Sequence, residues 1–288
     1  MEYEFETIKF ELRADGIGLL TLNRPDNLNA MNFQMIEDLH TLFDNLKRKL
    51  ECRIVILKAS GRVFCAGLDL KESVALQAKR KPKELKDKFY FINVPEKDVI
   101  KAKMYGQWRT SELIVKMRKI SQPIIAVVQG AASGAGFTFS LAADIRIAGE
   151  NAKFNNAFIN IGFSGADLGS SYHLPRLIGM SRAAEILYTG RFIEAEEAEK
   201  IGLVSKVIEG GEDELLEASL EIATEMIHKS PLGLRMTKQA INLSMDAPSL
   251  EMMIQLENRN QMICSCSEDV MEGVKAFFEK RDPQYPLK

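Results

Sequence analysis

Histidine and cysteine are scarce in this chain, three and four among 288 residues, and neither is clustered. His40, His173 and His228 form no H-E-x-x-H pair, and Cys52, Cys65, Cys264 and Cys266 form no C-x-x-C pair, so no metal site is expected. The thiols read as small apolar groups in a reducing compartment. Net charge is equally small: 38 Lys and Arg against 40 Asp and Glu leave −2, with no basic block interleaved with aromatics. Nucleic acid is therefore not an expected partner. The start, Met1-Glu2-Tyr3-Glu4-Phe5-Glu6, is acidic where a signal or transit peptide would be basic, which predicts a cytoplasmic protein. Residues 122–143 carry no charge, but Pro123 and glycines 130, 134 and 136 break the run. It reads as a buried strand, a turn and a helix, and no membrane span is expected.

What is present is an ordinary globular composition, 46% hydrophobic and 27% charged, at a length that allows one large domain or two small ones. Residues 8–13 and 16–22 alternate about Ala14-Asp15-Gly16, a hairpin signal. Asn32 caps a helical repeat of Met35, Ile36, Leu39, Leu42, Phe43 and Leu46, and a buried strand follows at 54–57. The order recurs with strands at 124–128 and 145–147, which predicts an α/β core. Beyond Gly211 the pattern is helical over 212–229, 231–245, 249–263 and 268–280, with Pro231 and Pro248 expected in first turns. The division expected is a core over 1–205 and a helical region over 206–288. The Lys-rich stretch 71–103, with Pro82 and Pro95, reads as a solvated helix-and-loop insert.

Two strand-to-helix turns carry the chemistry. Ser60-Gly61-Arg62-Val63-Phe64-Cys65-Ala66-Gly67-Leu68-Asp69 follows the strand at 54–57, and Asp69 with Glu72 has capping-box spacing, leaving the amides near Leu68 at a helix entrance. Gly130-Ala131-Ala132-Ser133-Gly134-Ala135-Gly136 follows the strand at 124–128, and its small residues let backbone N–H groups approach a ligand. Neither turn matches a P-loop or G-x-G-x-x-G, and Gly162-Phe163-Ser164-Gly165 is not a nucleophile elbow. Together they offer two amides able to converge on one oxygen.

Phe64-Cys65-Ala66-Gly67-Leu68-Asp69-Leu70, then Gly130 to Gly136 and Ala143-Asp144-Ile145, resemble the crotonase (enoyl-CoA hydratase/isomerase) superfamily. The likeness extends to Leu22-Asn23-Arg24-Pro25, Leu177-Ile178-Gly179, the stretch 194–204 and Phe278-Glu279-Lys280-Arg281. It implies a crotonase-like spiral of β-β-α units with a helical C-terminal trimerisation region, hence a homotrimer or hexamer. It also implies an acyl-CoA thioester as substrate, with coenzyme A as part of that substrate and no resident cofactor. The amides of Leu68 and Ala135 would form an oxyanion hole for the thioester carbonyl, with Ala66, Gly67, Asp69, Leu70, Gly134, Thr138 and Phe158 around the substrate.

A hydratase of this family is expected to use two glutamates, and the corresponding positions here are Thr138 and Phe158. Neither transfers a proton as a carboxylate does. Asp167, before Leu168-Gly169-Ser170, is similar in place to the acidic residue of dienoyl-CoA isomerases and 4-chlorobenzoyl-CoA dehalogenases. Phe158, Phe163 and Leu168 would give it an apolar surround. Read from local sequence alone, Asp167 caps the next helix. His173 is a weaker candidate partner, Trp108 and Phe91 candidate walls of an acyl pocket, and Lys71 a candidate for coenzyme A phosphates. The favoured reaction is double-bond isomerisation or an atypical hydration. The alternatives are hydrolysis or dehalogenation with Asp167 as nucleophile, and a non-catalytic acyl-CoA-binding scaffold.

Overall fold

The computed structural model describes residues 4–77 and 99–285. Most of the insert expected at 71–103, including Pro82, Phe91 and Pro95, lies outside the described residues.

β1 (Ile8–Leu12) and β2 (Ile17–Leu22) form the antiparallel hairpin that the sequence predicts, Ile8 opposite Leu22. Gly16 turns it at a φ of +87°, and the Asp15 carboxylate accepts the Ile17 amide at 3.1 Å. β2 then runs parallel to β3 (Ile54–Ala59), β3 to β4 (Ile124–Val128), β4 to β6 (Ile145–Gly149), and β6 to β9 (Lys206–Ile208). The result is a six-stranded sheet ordered β1-β2-β3-β4-β6-β9, all parallel beyond the opening hairpin. β5 (Ala131–Ser133), β7 (Lys153–Asn155) and β8 (Ile193–Glu194) make a second, three-stranded sheet.

Both faces of the large sheet are covered, which is why its central strands read as unbroken apolar runs. Val55, Leu57, Ile124, Ala126 and Val128 enter the main core with α1 (Phe33–Leu46), whose Met35, Ile36, Leu39, Leu42, Phe43 and Leu46 are buried. The alternate residues Ile54, Ile56, Ile125 and Val127 pack beneath Leu215 and Ala223 of α8 (Glu212–Ile227). Two-residue periodicity thus divides each strand between two apolar layers.

Helices α2 (Leu70–Gln77), α3 (Val99–Lys119), α4 (Ala135–Leu141), α5 (Ser170–Ile178), α6 (Met180–Thr189) and α7 (Ala195–Lys200) connect the strands. α4 ends on a buried cation: the Arg146 guanidinium on β6 donates to the carbonyls of Ser140, Leu141, Ala143 and Leu203. Burial lowers its pKa to about 10.

α9 (Pro231–Ser244), α10 (Leu250–Ser265) and α11 (Glu268–Glu279) follow α8 close to their expected positions. Pro231 occupies the first turn of α9, but Pro248 precedes the cap of α10, where the Ser249 hydroxyl accepts from the Met252 amide. Lys238 ties α9 to the core: its ammonium lies 2.9 Å from Asp144 and donates to the Met117 and Gln122 carbonyls. Among the described residues no helix is long and apolar enough to cross a membrane.

Candidate active site

The first glycine turn leaves β3 and is braced by the loop that precedes α1. The Met31 amide donates to the Gly67 carbonyl at 2.8 Å, and the Asp69 amide donates to the Met31 carbonyl at 3.0 Å. Asp69 caps α2 as its spacing predicts, accepting the Glu72 amide at 3.1 Å. The reciprocal half of the expected box is replaced, because the Glu72 carboxylate takes the Phe33 amide at the start of α1 instead. Asp69 also holds the Arg24 guanidinium at 3.0 Å.

The second turn leaves β4, passes through β5 and enters α4. It is joined to the first by a pair of backbone hydrogen bonds, Cys65 N–H to the Ala131 carbonyl at 3.1 Å and Ser133 N–H to the Cys65 carbonyl at 2.9 Å. Such contact requires bare backbone. A β-carbon placed on Gly136 would lie 2.2 Å from the Cys65 carbonyl oxygen, and one on Gly130 2.1 Å from that of Arg62. At Gly67, with φ +104°, it would lie 3.0 Å from the Ser133 oxygen and 3.6 Å from the Ala135 nitrogen.

The structure therefore brings Leu68 and Ala135, expected from separate motifs, to the two sides of one backbone junction. Ala135 is the first residue of α4, where the helix leaves its N–H groups without intrahelical acceptors. Among the described residues neither the Leu68 nor the Ala135 amide has a hydrogen-bond acceptor. Gly67, Gly134 and Ala135 are buried, Leu68 is half-buried, and Ala66 and Leu70 are exposed. Lys71 is exposed as well.

Thr138 and Phe158, expected where a hydratase carries its two glutamates, are both turned to packing. Thr138 is fully buried and its hydroxyl donates to the Ala135 carbonyl of its own helix at 3.0 Å. Phe158 is buried, with its ring edge 3.5 Å from the position of a β-carbon on Gly134. It stands just before a short 3-10 helix, Ile159–Ile161.

The segment after that helix carries Asp167. Gly165 is pinned by the Asn156 amide and the Ser170 hydroxyl, both donating to its carbonyl. Asp167 does not cap α5, which begins after Gly169; its carboxylate oxygen Oδ1 accepts the Leu168 amide at 2.7 Å. The same oxygen accepts the Gln107 side-chain amide of α3 at 2.6 Å. The surround is less apolar than expected, since Phe163 is 63% exposed, while Phe158 and Leu168 are buried. Gln107 carries no sequence signal; it lies 60 residues earlier, inside a helix whose pattern gives no hint that this position meets the Asp167 loop. Trp108, beside it, is exposed and tilted against Tyr105.

His173 lies within α5, buried against Tyr172. Burial, with the nearby Arg118, Arg146 and Arg176, pushes its pKa down to about 4. It has no hydrogen bond to Asp167. Burial pushes the Cys65 thiol, inside the first turn, up to about 12, so it is a packing group and not a nucleophile.

Comparison with known proteins agrees with this architecture over nearly the whole chain. The family model for enoyl-CoA hydratase/isomerase matches residues 13–106 and 96–287. A probable enoyl-CoA hydratase of Mycobacterium tuberculosis is 36% identical over 274 residues, 93% of this chain and 89% of that protein. The 1,2-epoxyphenylacetyl-CoA isomerase of Escherichia coli is 33% identical over 270 residues, 94% of this chain and 95% of that protein. The crystal structure of a probable enoyl-CoA hydratase/isomerase from Mycobacterium abscessus superposes with a TM-score of 0.84 at 31% identity, covering 98% of this chain and 100% of that one. A family model and relatives above 30% identity over nearly the whole chain, together with the crotonase fold, make this chain an enzyme of the enoyl-CoA hydratase/isomerase (crotonase) family.

Proposed function

We propose that this enzyme moves a double bond, or adds water by an atypical route, in an acyl-CoA thioester whose carbonyl oxygen is held by the Leu68 and Ala135 amides. The observation that carries this reading is the junction at Gly67, which puts on neighbouring backbones two amides that have no acceptor among the described residues. Removing a proton from the carbon beside a thioester drives negative charge onto its oxygen. Each well-placed donor to such an oxygen is worth about 3 kcal/mol in the transition state. Ala66, Gly67, Asp69, Leu70 and Gly134 frame the thioester, and Asp167 is the acid/base. One carboxylate suffices to carry a proton between two carbons. Ordinary hydration is disfavoured because Phe158 and the inward-turned Thr138 offer nothing to activate a water.

The test is deuterium incorporation from heavy water into a panel of saturated, enoyl, dienoyl and aromatic CoA thioesters. Label beside the thioester carbonyl, appearing far more slowly but still measurably in Asp167→Asn, is the expected result. Absence of label in every thioester that binds would overturn proton transfer; solvent oxygen passing through the Asp167 carboxylate in one turnover would put covalent hydrolysis or dehalogenation in its place.

The assembly proposed is a homotrimer or a hexamer built on the helical region 206–288. Phe277 and Phe278 are 79% and 78% exposed, and Leu250 and Met271 are 76% and 75% exposed. Apolar side chains in that density are characteristic of subunit contacts. Sedimentation at monomer mass across the micromolar range would refute it.

A further inference from the structure

Asp167 is held asymmetrically. Its Oδ1 receives two N–H groups, the Leu168 amide at 2.7 Å and the Gln107 side chain at 2.6 Å, whereas Oδ2 has no donor among the described residues. The backbone donor is local to the loop, next to Leu168 at a φ of +45°. The side-chain donor comes from α3, an element packed on α1 through the pair of Arg109 and Glu37, 2.5 Å apart. Two donors on one oxygen fix the carboxylate about its side-chain torsions and draw negative charge toward Oδ1. Charge-assisted hydrogen bonds of this kind are short and directional.

We propose that Gln107 is a positioning residue for Asp167, anchoring Oδ1 so that Oδ2 is the oxygen that carries the proton. The inference rests on the acid/base role given to Asp167 above. In the step implied, a substrate C–H bond breaks and its proton joins Oδ2, while the bonding electron pair passes into the thioester oxygen as an enolate. The same proton then returns from Oδ2 to another carbon, and the enolate electrons form the displaced double bond. No oxidant and no further reactant is needed. A general base has to be held within a fraction of an ångström of its target, and the second donor supplies that restraint from a separate helix.

The experiment uses the full-length enzyme and four variants: Gln107→Met, Gln107→Glu, Asp167→Asn and the double variant Gln107→Met with Asp167→Asn. Gln107 is exposed and Met is a good helix former, so Gln107→Met retains the fold. With the CoA thioester that takes up most deuterium as probe, the expected loss in kcat is about 10-fold for Gln107→Met, with KM within about 2-fold. Gln107→Glu replaces a donor with a like charge and loses about 100-fold, again in kcat. In the Asp167→Asn background Gln107→Met causes no further loss, because it acts through the group already removed. Equal loss in both backgrounds, or unchanged kcat in Gln107→Met and Gln107→Glu, overturns the inference while the role of Asp167 stands. Unchanged kcat in Asp167→Asn overturns that role instead, and the two failures are therefore distinct.

Discussion

The Arg24 guanidinium lies 3.0 Å from the Asp69 carboxylate, joining the end of β2 to the residue that follows Leu68, across 45 positions of sequence. Both side chains are mostly buried, at 16% and 12% exposure, and Arg24 also donates to the Ala30 carbonyl. The pair braces the first glycine turn from the side opposite α2. Arg24→Met leaves Asp69 without its counter-charge, and a loss of about 2 kcal/mol of stability is expected. Because Leu68 shares the braced segment, kcat for deuterium exchange is expected to fall with stability. Urea denaturation together with exchange kinetics checks both; an unchanged midpoint would show that the brace is dispensable.

Gly136→Ala is expected to be far more damaging than the same substitution at Gly162, after the short 3-10 helix. Its methyl group would lie 2.2 Å from the Cys65 carbonyl oxygen and 2.7 Å from the Cys65 β-carbon, neither of them the far end of a flexible side chain that could yield. Overpacking of this kind costs about 3 kcal/mol or more. Thermal melting of Gly136→Ala beside Gly162→Ala makes the comparison, since Gly162 has open space around it and its substitution is penalised only through a φ of +86°.

The acid side of the stability curve has a specific source in His173. Its pKa in the folded state, about 4, lies below the ordinary value of 6.5. Between those values the unfolded chain binds a proton that the folded chain does not. Stability from this group is therefore complete above pH 6.5 and declines as the pH falls toward 4, by on the order of 3 kcal/mol. His40, whose pKa burial also lowers, adds a slope of the same sign. His173→Gln is expected to flatten the curve between pH 6.5 and 4, and denaturation at a series of pH values measures it; an unaltered slope would assign the acid sensitivity elsewhere.

Thiol titration should separate the four cysteines into two classes. Burial pushes Cys52 and Cys65 each up to about 12, whereas Cys266 is exposed and Cys264 half-buried. No more than two thiols per native chain are expected to react with a disulfide reagent at pH 8, and four after denaturation. Rapid reaction of a third thiol in the native enzyme would mean that the first glycine turn or the β2–β3 layer opens readily.

Much of this was legible in the sequence, for reasons that differ between parts of the molecule. The hairpin at Gly16, the Asn32 cap, the alternating strands and the four C-terminal helices announce themselves because local chemistry sets them. The turns at Gly67 and Gly134 were visible for the same reason, as glycine is required where backbones touch. Arrangements made by distant partners were not. Glu72 has the spacing to close a capping box, yet the Phe33 amide competes for it successfully. Asp167 looks like a helix cap, yet Gly169 separates it from α5 and Gln107 takes its carboxylate. Local sequence fixes which groups are available, and tertiary packing decides which of them meet.

The sheet order has a consequence for synthesis of the chain. β9 closes the open edge of β6, but it lies beyond residue 205, after both glycine turns, the Asp167 loop and three further helices have been made. Until Lys206 to Ile208 emerge from the ribosome, the apolar strand Ile145–Gly149 has an unpaired backbone edge. Such an edge can recruit another nascent strand. A period of exposure to aggregation therefore falls late in translation, when every group of the candidate site is already present and only its frame is incomplete.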